Sequence, residues 1–298
     1  MKNMLLIMNP NSGQRKANRF LPDIIAAFNR ADYRVWVHMT ACRGDATQAA
    51  KKWAGEVELV VCCGGDGTLN ETLNGIMATQ YRPRVGYIPS GTTNDFASSL
   101  KLSGKPLQAA RDIVEGAPMV YDVCRFGDRY FSYVASFGAF TKSSYATSQT
   151  LKNALGHTAY LLSGVRELTQ LHSSHVRFEF EDQVIEDDFV FGAICNSTSV
   201  GGILTLDPKQ VDMADGLCEV LLIRMPKNLS ELADILRAVR SQKYDSPQIT
   251  FVSARKVTVI ADPDMAWTLD GEREEGHDRV EVENIYHAIS LVQRKETP

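Results

Sequence analysis

Gly64-Gly65-Asp66-Gly67-Thr68 sets one carboxylate among three glycines, directly after the apolar run Val57 to Cys63. Glycines let a backbone come close to a ligand. The residues behind them, Leu69 to Met77, read as a helix, whose first turn offers N–H groups and a positive dipole end to an anion. An aspartate beside phosphate makes sense when a divalent cation or an acidic proton lies between the like charges. On its residues alone, this is a phosphate-and-metal loop. It is not a Walker A loop, because no Gly-Lys-Ser/Thr follows. It is not a dinucleotide fingerprint, because Asn70 stands where the third glycine belongs.

Two further polar loops accompany it. Asn9-Pro10-Asn11-Ser12-Gly13 supplies donors and a tight turn suited to phosphate or ribose. Taken alone, it reads better as a plain strand-to-helix turn. Pro89-Ser90-Gly91-Thr92-Thr93-Asn94-Asp95-Phe96-Ala97 either caps the next helix through Thr93 or Asn94, or offers Gly91 and Thr92 to a nucleotide.

The elements that must hold these loops follow from the apolar pattern. Met4 to Met8, Arg34 to His38, Val57 to Cys63 and Val85 to Ile88 read as strands; Lys16 to Arg30, Asp45 to Ala54 and Leu69 to Met77 read as helices. Such alternation predicts βαβ units and a parallel sheet, with ligands beyond the strand C-termini. All three loops fall there. After Tyr121 the pattern changes to short, turn-bounded strands: Tyr121 to Phe126, Arg129 to Ala135, Val176 to Phe180, Val184 to Cys195, Leu217 to Ile223 and Lys256 to Ile260. These predict an antiparallel sandwich. Helices are expected over Lys152 to Leu171 and Leu229 to Val239. The expected fold is therefore α/β: an N-terminal parallel-sheet nucleotide-binding domain over 1–120, then an antiparallel β-sandwich domain over 121–285.

A net charge of −4 in 298 residues argues against nucleic acid as the partner. No apolar run approaches the ~18 residues of a membrane span, so any membrane contact is expected to be peripheral. The cysteines at 42, 62, 63, 124, 195 and 218 lack metal-ligand spacing and are read as free thiols in a reducing cytoplasm. Trp36, Trp53 and Trp267 are expected in the core or between domains. His172 and His175 lack a third ligand and are read as incidental. The glycosylation sequons at Asn70, Asn196 and Asn228 are read as chance matches.

The three loops, in this order, resemble the diacylglycerol kinase catalytic family, and within it the soluble bacterial lipid kinases. Sphingosine and ceramide kinases are more distant relatives. The resemblance continues through Gly201-Gly202, Asp215-Gly216-Leu217 and Leu269-Asp270-Gly271-Glu272. It implies an ATP-dependent kinase whose active site lies in the cleft between a nucleotide domain and a sandwich domain. A C-terminal segment, about 286–298, returns to the first domain; Ala288 to Gln293 is the candidate strand. By the same resemblance ATP is held by Asn9, Pro10, Asn11, Ser12, Gly13, Thr40, Gly64, Gly65, Asp66, Gly67, Thr68, Leu69, Asn70, Glu71 and Thr92. Thr40 is carried over because Gly44-Asp45-Ala46 follows it.

The resemblance also assigns Mg²⁺ to Asp215, the carbonyl of Leu217 and Asp212. From spacing alone, this stretch is an Asp-Gly turn before a strand. Glu272 matches the catalytic base, although its neighbours Glu274 and Glu275 also suit an exposed acidic loop. Asp122 resembles an acid linked to Asp66 and metal, and equally suits a turn cap between domains. The implied reaction moves the γ-phosphate of ATP to a lipid alcohol, most simply diacylglycerol, at the inner membrane surface by a cytoplasmic enzyme. A homodimer is expected by analogy. The alternatives are a soluble-substrate kinase of the NAD-kinase or phosphofructokinase type, which also uses a Gly-Gly-Asp-Gly loop, and a nucleotide-binding regulator without turnover.

Overall fold

The computed structural model describes residues 1–13, 17–139, 171–200 and 204–294. The chain forms two compact units. The first comprises Met1–Val123, Arg129–Ser132 and Ile285–Pro298; the second comprises Cys124–Asp128 and Tyr133–Asn284.

In the first unit, β1 (Lys2–Met8), β2 (Tyr33–Met39), β3 (Leu59–Gly64) and β4 (Arg84–Pro89) pair in parallel in the order β2-β1-β3-β4. The chain leaves β1 to one side for β2, then crosses to the other side for β3. That reversal is the topological switch point where open α/β sheets bind ligands. Helices cover both faces, which is why the strands read as unbroken apolar runs. Met4, Leu6, Met8, Leu59 and Val61 pack with Ile24 and Phe28 of α1 (Leu21–Arg30) and with Ala109, Ala110 and Ile113. Leu69, Leu73 and Ile76 of α3 (Asp66–Met77) are also buried, and α3 packs on α2 (Asp45–Trp53). A short α4 (Asp95–Ser99) and α5 (Pro106–Glu115) follow β4.

Three local expectations are corrected. The first helix begins at Leu21 behind a 3-10 turn, Ala17–Phe20, with proline in its opening turn, where the missing N–H costs nothing. The helix after the glycine loop begins at Asp66, three residues before Leu69. Trp36 is exposed, resting against Trp53 with ring centroids 5.2 Å apart, because β2 is the edge strand.

β5 (Ala117–Phe126) leads towards the second unit, and the stretch Arg129 to Ala135 is two strands: β6 (Arg129–Phe131) in the first unit and the start of β7 (Val134–Gly138) in the second. The long β9 (Val184–Cys195) organises the second unit. Its first half pairs with β8 (Ser174–Glu179); its second half pairs with β7 and β12 (Cys218–Arg224). β13 (Ile249–Ala254) extends one side beyond β12, and β14 (Lys256–Ala261) extends the other beyond β8. All of these pairings are antiparallel, as the class reading expects. A short ribbon of β10 (Ser199–Val200) and β11 (Leu204–Thr205) stands apart. Phe126, Phe137, Phe178, Phe189 and Trp267 form the aromatic centre, with Phe137 and Trp267 rings 4.9 Å apart.

The helix α6 (Leu229–Ser241) is N-capped by Asn228. Asn228 Oδ1 accepts the Glu231 N–H at 3.0 Å, and Glu231 reaches back past the cap to accept the Lys227 N–H at 2.7 Å. The predicted helix Lys152 to Leu171, apart from Leu171 itself, lies outside the described residues, as does Gly201-Gly202. The thiol reading is corrected for one pair, since Cys124 is bonded to Cys218; Cys42, Cys62, Cys63 and Cys195 are free. The final strand, β17 (Arg279–Gln293), pairs antiparallel with β14 through its first residues and parallel with β4 at Leu291.

Candidate active site

The three polar loops of the first unit close on one another through their glycines. A Cβ on Gly91 would lie 2.5 Å from the Gly65 Cα, and one on Gly13, at φ 54°, would collide with the Ser90 carbonyl. Side chains here would therefore fill the cradle. The loops are also bonded across the switch point. Asn9 N–H donates to the Cys63 carbonyl at 2.9 Å, its Nδ2 donates to Thr68 Oγ1 at 3.1 Å, and Ser90 N–H donates to the Gly64 carbonyl at 2.8 Å. Asn9 Oδ1 accepts the Asn11 N–H at 2.9 Å, which fixes the first loop as an Asx turn. Leu69 N–H is the first in-helix donor of α3, to the Gly65 carbonyl at 3.0 Å. The amides of Gly67 and Thr68 precede it, and these are the groups a helix start presents to an anion.

Asp66 sits in the first turn of α3 and reaches the start of another helix. Its Oδ2 accepts the Asp95 N–H at 3.1 Å, and its Oδ1 approaches the Phe96 N–H at 3.4 Å. The expected cap residues do something else. Asn94, at φ 54°, turns its side chain back on Gly91, accepting its N–H at 2.9 Å and donating to its carbonyl at 3.1 Å. Asp95 is buried beside Asp66, a second carboxylate at the loop that the site assignment omitted although the motif contains it.

Other assigned residues divide between lining the loop and holding it. Thr40 follows β2, its N–H bonded to the Met8 carbonyl at 2.9 Å. Thr92 is exposed, and Pro10 accepts the Asn18 side chain at 3.0 Å. Leu69 is wholly buried and contributes packing. Asn70 is buried and donates to the Tyr130 carbonyl at 2.9 Å. Glu71 clasps the start of α2, accepting the N–H groups of Gly44 at 2.8 Å and Ala46 at 3.2 Å. The Ala41 N–H, with His38 beside it, holds the Asp45 carboxyl below its ordinary value. Glu71 and Asp45 together fix the turn that follows Thr40. Asp122 is wholly buried and accepts the His287 N–H at 2.7 Å, holding a left-handed residue of β17 at φ 50°.

In the second unit, Glu272 opens β16 (Glu272–Glu274), the return arm of a hairpin from β15 (Trp267–Leu269). The two-residue turn is Asp270-Gly271, with φ 47° and 81°, the geometry that Asp-Gly suits. Asp270 does more than turn the chain. Its buried carboxylate accepts the N–H groups of Tyr133 at 3.0 Å and Val134 at 3.1 Å, and its own N–H donates to the Val134 carbonyl at 2.8 Å. This pins the hairpin, and so Glu272, to β7. The turn signal was readable from sequence, but the anchoring 136 residues away was not.

Asp212 and Asp215 lie exposed on the turn before β12, each accepting one nearby backbone N–H, and the Leu217 carbonyl accepts Asn284 Nδ2 at 2.8 Å. Among the described residues, no three acidic, His or Cys side chains converge on a metal. The donors present, two carboxylates and a carbonyl, suit a hydrated hard cation such as Mg²⁺, which keeps several waters. Glu219 supports that fit. It is 1% exposed, its Oε2 has no hydrogen-bond partner, and burial, together with the charges of Asp215 and Asp212, pushes it up to about 8. A cation there would relieve that excess of negative charge.

Residues 3–126 match the diacylglycerol kinase catalytic domain, and residues 135–292 match the YegS C-terminal NAD kinase beta sandwich-like domain. A diacylglycerol kinase of Bacillus subtilis (strain 168) is 33% identical over 299 residues, covering 99% of this chain and 98% of the relative. One from Staphylococcus carnosus (strain TM300) is 33% identical over 273 residues, covering 91% and 89%. A crystal structure from Bacillus anthracis str. Sterne, provisionally titled a diacylglycerol kinase, superposes with a TM-score of 0.80 at 25% identity, covering 98% of this chain and 95% of that one.

Proposed function

Because the chain belongs to the diacylglycerol kinase catalytic family, we propose that this kinase transfers the γ-phosphoryl group of ATP to the hydroxyl of a lipid alcohol, diacylglycerol or a close analogue. The observation that carries the nucleotide half is the closure of three glycine-bearing loops around the start of α3. Mg²⁺ supplies charge neutralisation on the phosphates when bound.

The chain's own groups divide the remaining work. The amides of Gly67 and Thr68 and the α3 dipole orient phosphate oxygens. Asp66, aligned by the Asp95 N–H, holds the cation side of the loop. Glu71 and Asp45 keep the turn after Thr40 in place for the nucleotide. Glu272, set by the Asp270 anchor, accepts the acceptor hydroxyl's proton at its carboxylate oxygen. Asp212, Asp215 and the Leu217 carbonyl hold Mg²⁺ structurally.

No described helix is long and apolar enough to cross a membrane. The lipid is therefore proposed to be met at a membrane surface by transient contact from the cytoplasmic side, with a homodimer as the working assembly. The deciding experiment incubates the full chain with labelled ATP, Mg²⁺ and vesicles of extracted membrane lipid, then identifies the product by mass spectrometry. Phosphatidate or another lipid phosphate is expected. Transfer to NAD or fructose 6-phosphate, with none to lipid, would overturn the assignment.

A further inference from the structure

The first unit has a concavity whose lining shares no residue with the three polar loops. It lies where β17 ends, between α5 and the segment after α4, and its volume is about 690 Å³. Small-molecule sites commonly measure about 300–1,000 Å³. Its floor is apolar: Ile113 and Val292, both part of the sheet's hydrophobic cluster, line it beside Leu102 and Met119. Met119 leaves 42% of its surface in solvent. An apolar ligand would cover that surface.

Two cations also line this cavity, Lys101 and Arg294. Lys101 follows the C-cap Leu100 of α4 at φ 52°, with its N–H on the Ser98 carbonyl at 3.2 Å and the Leu102 N–H on the Ala97 carbonyl at 2.9 Å. That left-handed position after a helix favours glycine, so lysine is held there against backbone preference. Arg294 forms an ion pair, at 3.9 Å and without a hydrogen bond, with Asp112, which also lines the cavity and whose Oδ1 accepts Gln108 Nε2 at 2.8 Å, so two cations face one carboxylate there.

We propose that this cavity binds an anionic single-chain amphiphile, its acyl chain against Ile113, Met119 and Val292 and its head group at Lys101 and Arg294. The inference stands apart from the phosphoryl-transfer reading, since it uses none of that site's residues. A fatty-acid carboxylate and a lysophospholipid phosphate share the required chemistry.

Calorimetric titration of the full chain, below micelle concentrations, tests it with four probes: myristate, 1-myristoyl lysophosphatidate, 1-monomyristoylglycerol and inorganic phosphate. Lys101→Gly removes the charge while suiting the φ of 52°, so the fold is retained; Met119→Glu places an acid against the chain. One-to-one binding of at least one anionic amphiphile is expected, about tenfold tighter than the uncharged glyceride and weakened about tenfold by either variant, as loss of one charge-assisted contact implies. Inorganic phosphate alone should bind far more weakly. The proposal is overturned if neither anionic amphiphile binds, if both variants bind as the parent does, or if phosphate binds equally well. Whichever anionic probe binds identifies the head group.

Discussion

The carboxylate of Asp66 accepts the backbone N–H of Asp95 at 3.1 Å, so the glycine loop's acid caps a helix that begins 29 residues later. This bond ties the β3 loop to the β4 loop.

Asp66→Asn keeps an acceptor for the Asp95 N–H but removes the charge. The expected outcome is a folded protein whose kcat falls at least about 100-fold, the scale of losing one preorganised electrostatic contact. Stability should fall by only about 0.5–2 kcal/mol, as for a weakened helix cap. Steady-state kinetics and thermal melts check both, and retained turnover would remove Asp66 from the proposed machinery.

Glu71 makes a different separation. Its two charge-assisted bonds hold Gly44 and Ala46, each bond worth about 1.5–3 kcal/mol in favourable settings. Glu71→Ala should destabilise the protein by about 1–3 kcal/mol and raise KM for ATP more than it lowers kcat, because the Thr40 turn loosens. Glu71→Gln, which retains one acceptor, should restore most of the stability. An unchanged KM in Glu71→Ala would detach the turn from nucleotide binding.

These two residues also show what the sequence could not disclose. The parallel strands are legible because both faces are buried and their residues form unbroken apolar runs, as in Leu59 to Cys63. The start of α3 at Asp66 is not, because Asp, Gly and Thr are weak helix formers held there by bonds to Asn9 and Asp95. β13 escapes because it is half-exposed and carries Thr250 and Ser253 within its apolar pattern. Cys124 and Cys218, 94 residues apart, have no spacing that announces a pair. The loop motifs name the residues of the candidate site, but only the structure shows that Thr68 bonds to Asn9, that Leu69 is packed away, and that Asn70 and Glu71 bond to Tyr130 and to the start of α2.

Asp270 offers a graded test of how the candidate base is placed. Asp270→Asn keeps the one oxygen, Oδ1, that accepts both backbone N–H groups, and it suits a left-handed φ in an Asn-Gly turn. Asp270→Ala leaves the buried N–H groups of Tyr133 and Val134 unsatisfied, which costs about 1–3 kcal/mol for each. Asp270→Ala should therefore be the less stable by several melting degrees, and its kcat should fall with little change in KM for ATP. Equal melting temperatures for the two variants would mean that the anchor carries little energy.

Mg²⁺ should raise the melting temperature in the absence of nucleotide. A site held by Asp212, Asp215 and the Leu217 carbonyl stabilises the folded state by about 2.7 kcal/mol at 100 times its dissociation constant. Asp215→Asn should abolish the gain without a comparable change in the metal-free melt, since its Oδ1 can still accept the Leu217 N–H. Calcium and magnesium titrations followed by scanning calorimetry provide the reading. Equal gains in parent and variant would place the cation elsewhere.

A last prediction concerns the second unit alone. His175 lies between Asp188, 3.0 Å from its Nδ1, and Glu186, 3.3 Å from its Nε2. The hydrogen bond to Asp188, then that to Glu186, raises its value above the ordinary 6.5. The folded state thus binds the proton more tightly than the unfolded chain. The resulting stabilisation is complete below pH 6.5 and is lost as pH rises through the raised value. Because the imidazole is exposed, salt should screen the effect. Between pH 6 and pH 8.5, at low ionic strength, the parent should lose more melting temperature than His175→Gln, and added salt should narrow the difference. Parallel pH profiles at low salt would show that the imidazole and its two carboxylates are not coupled to folding.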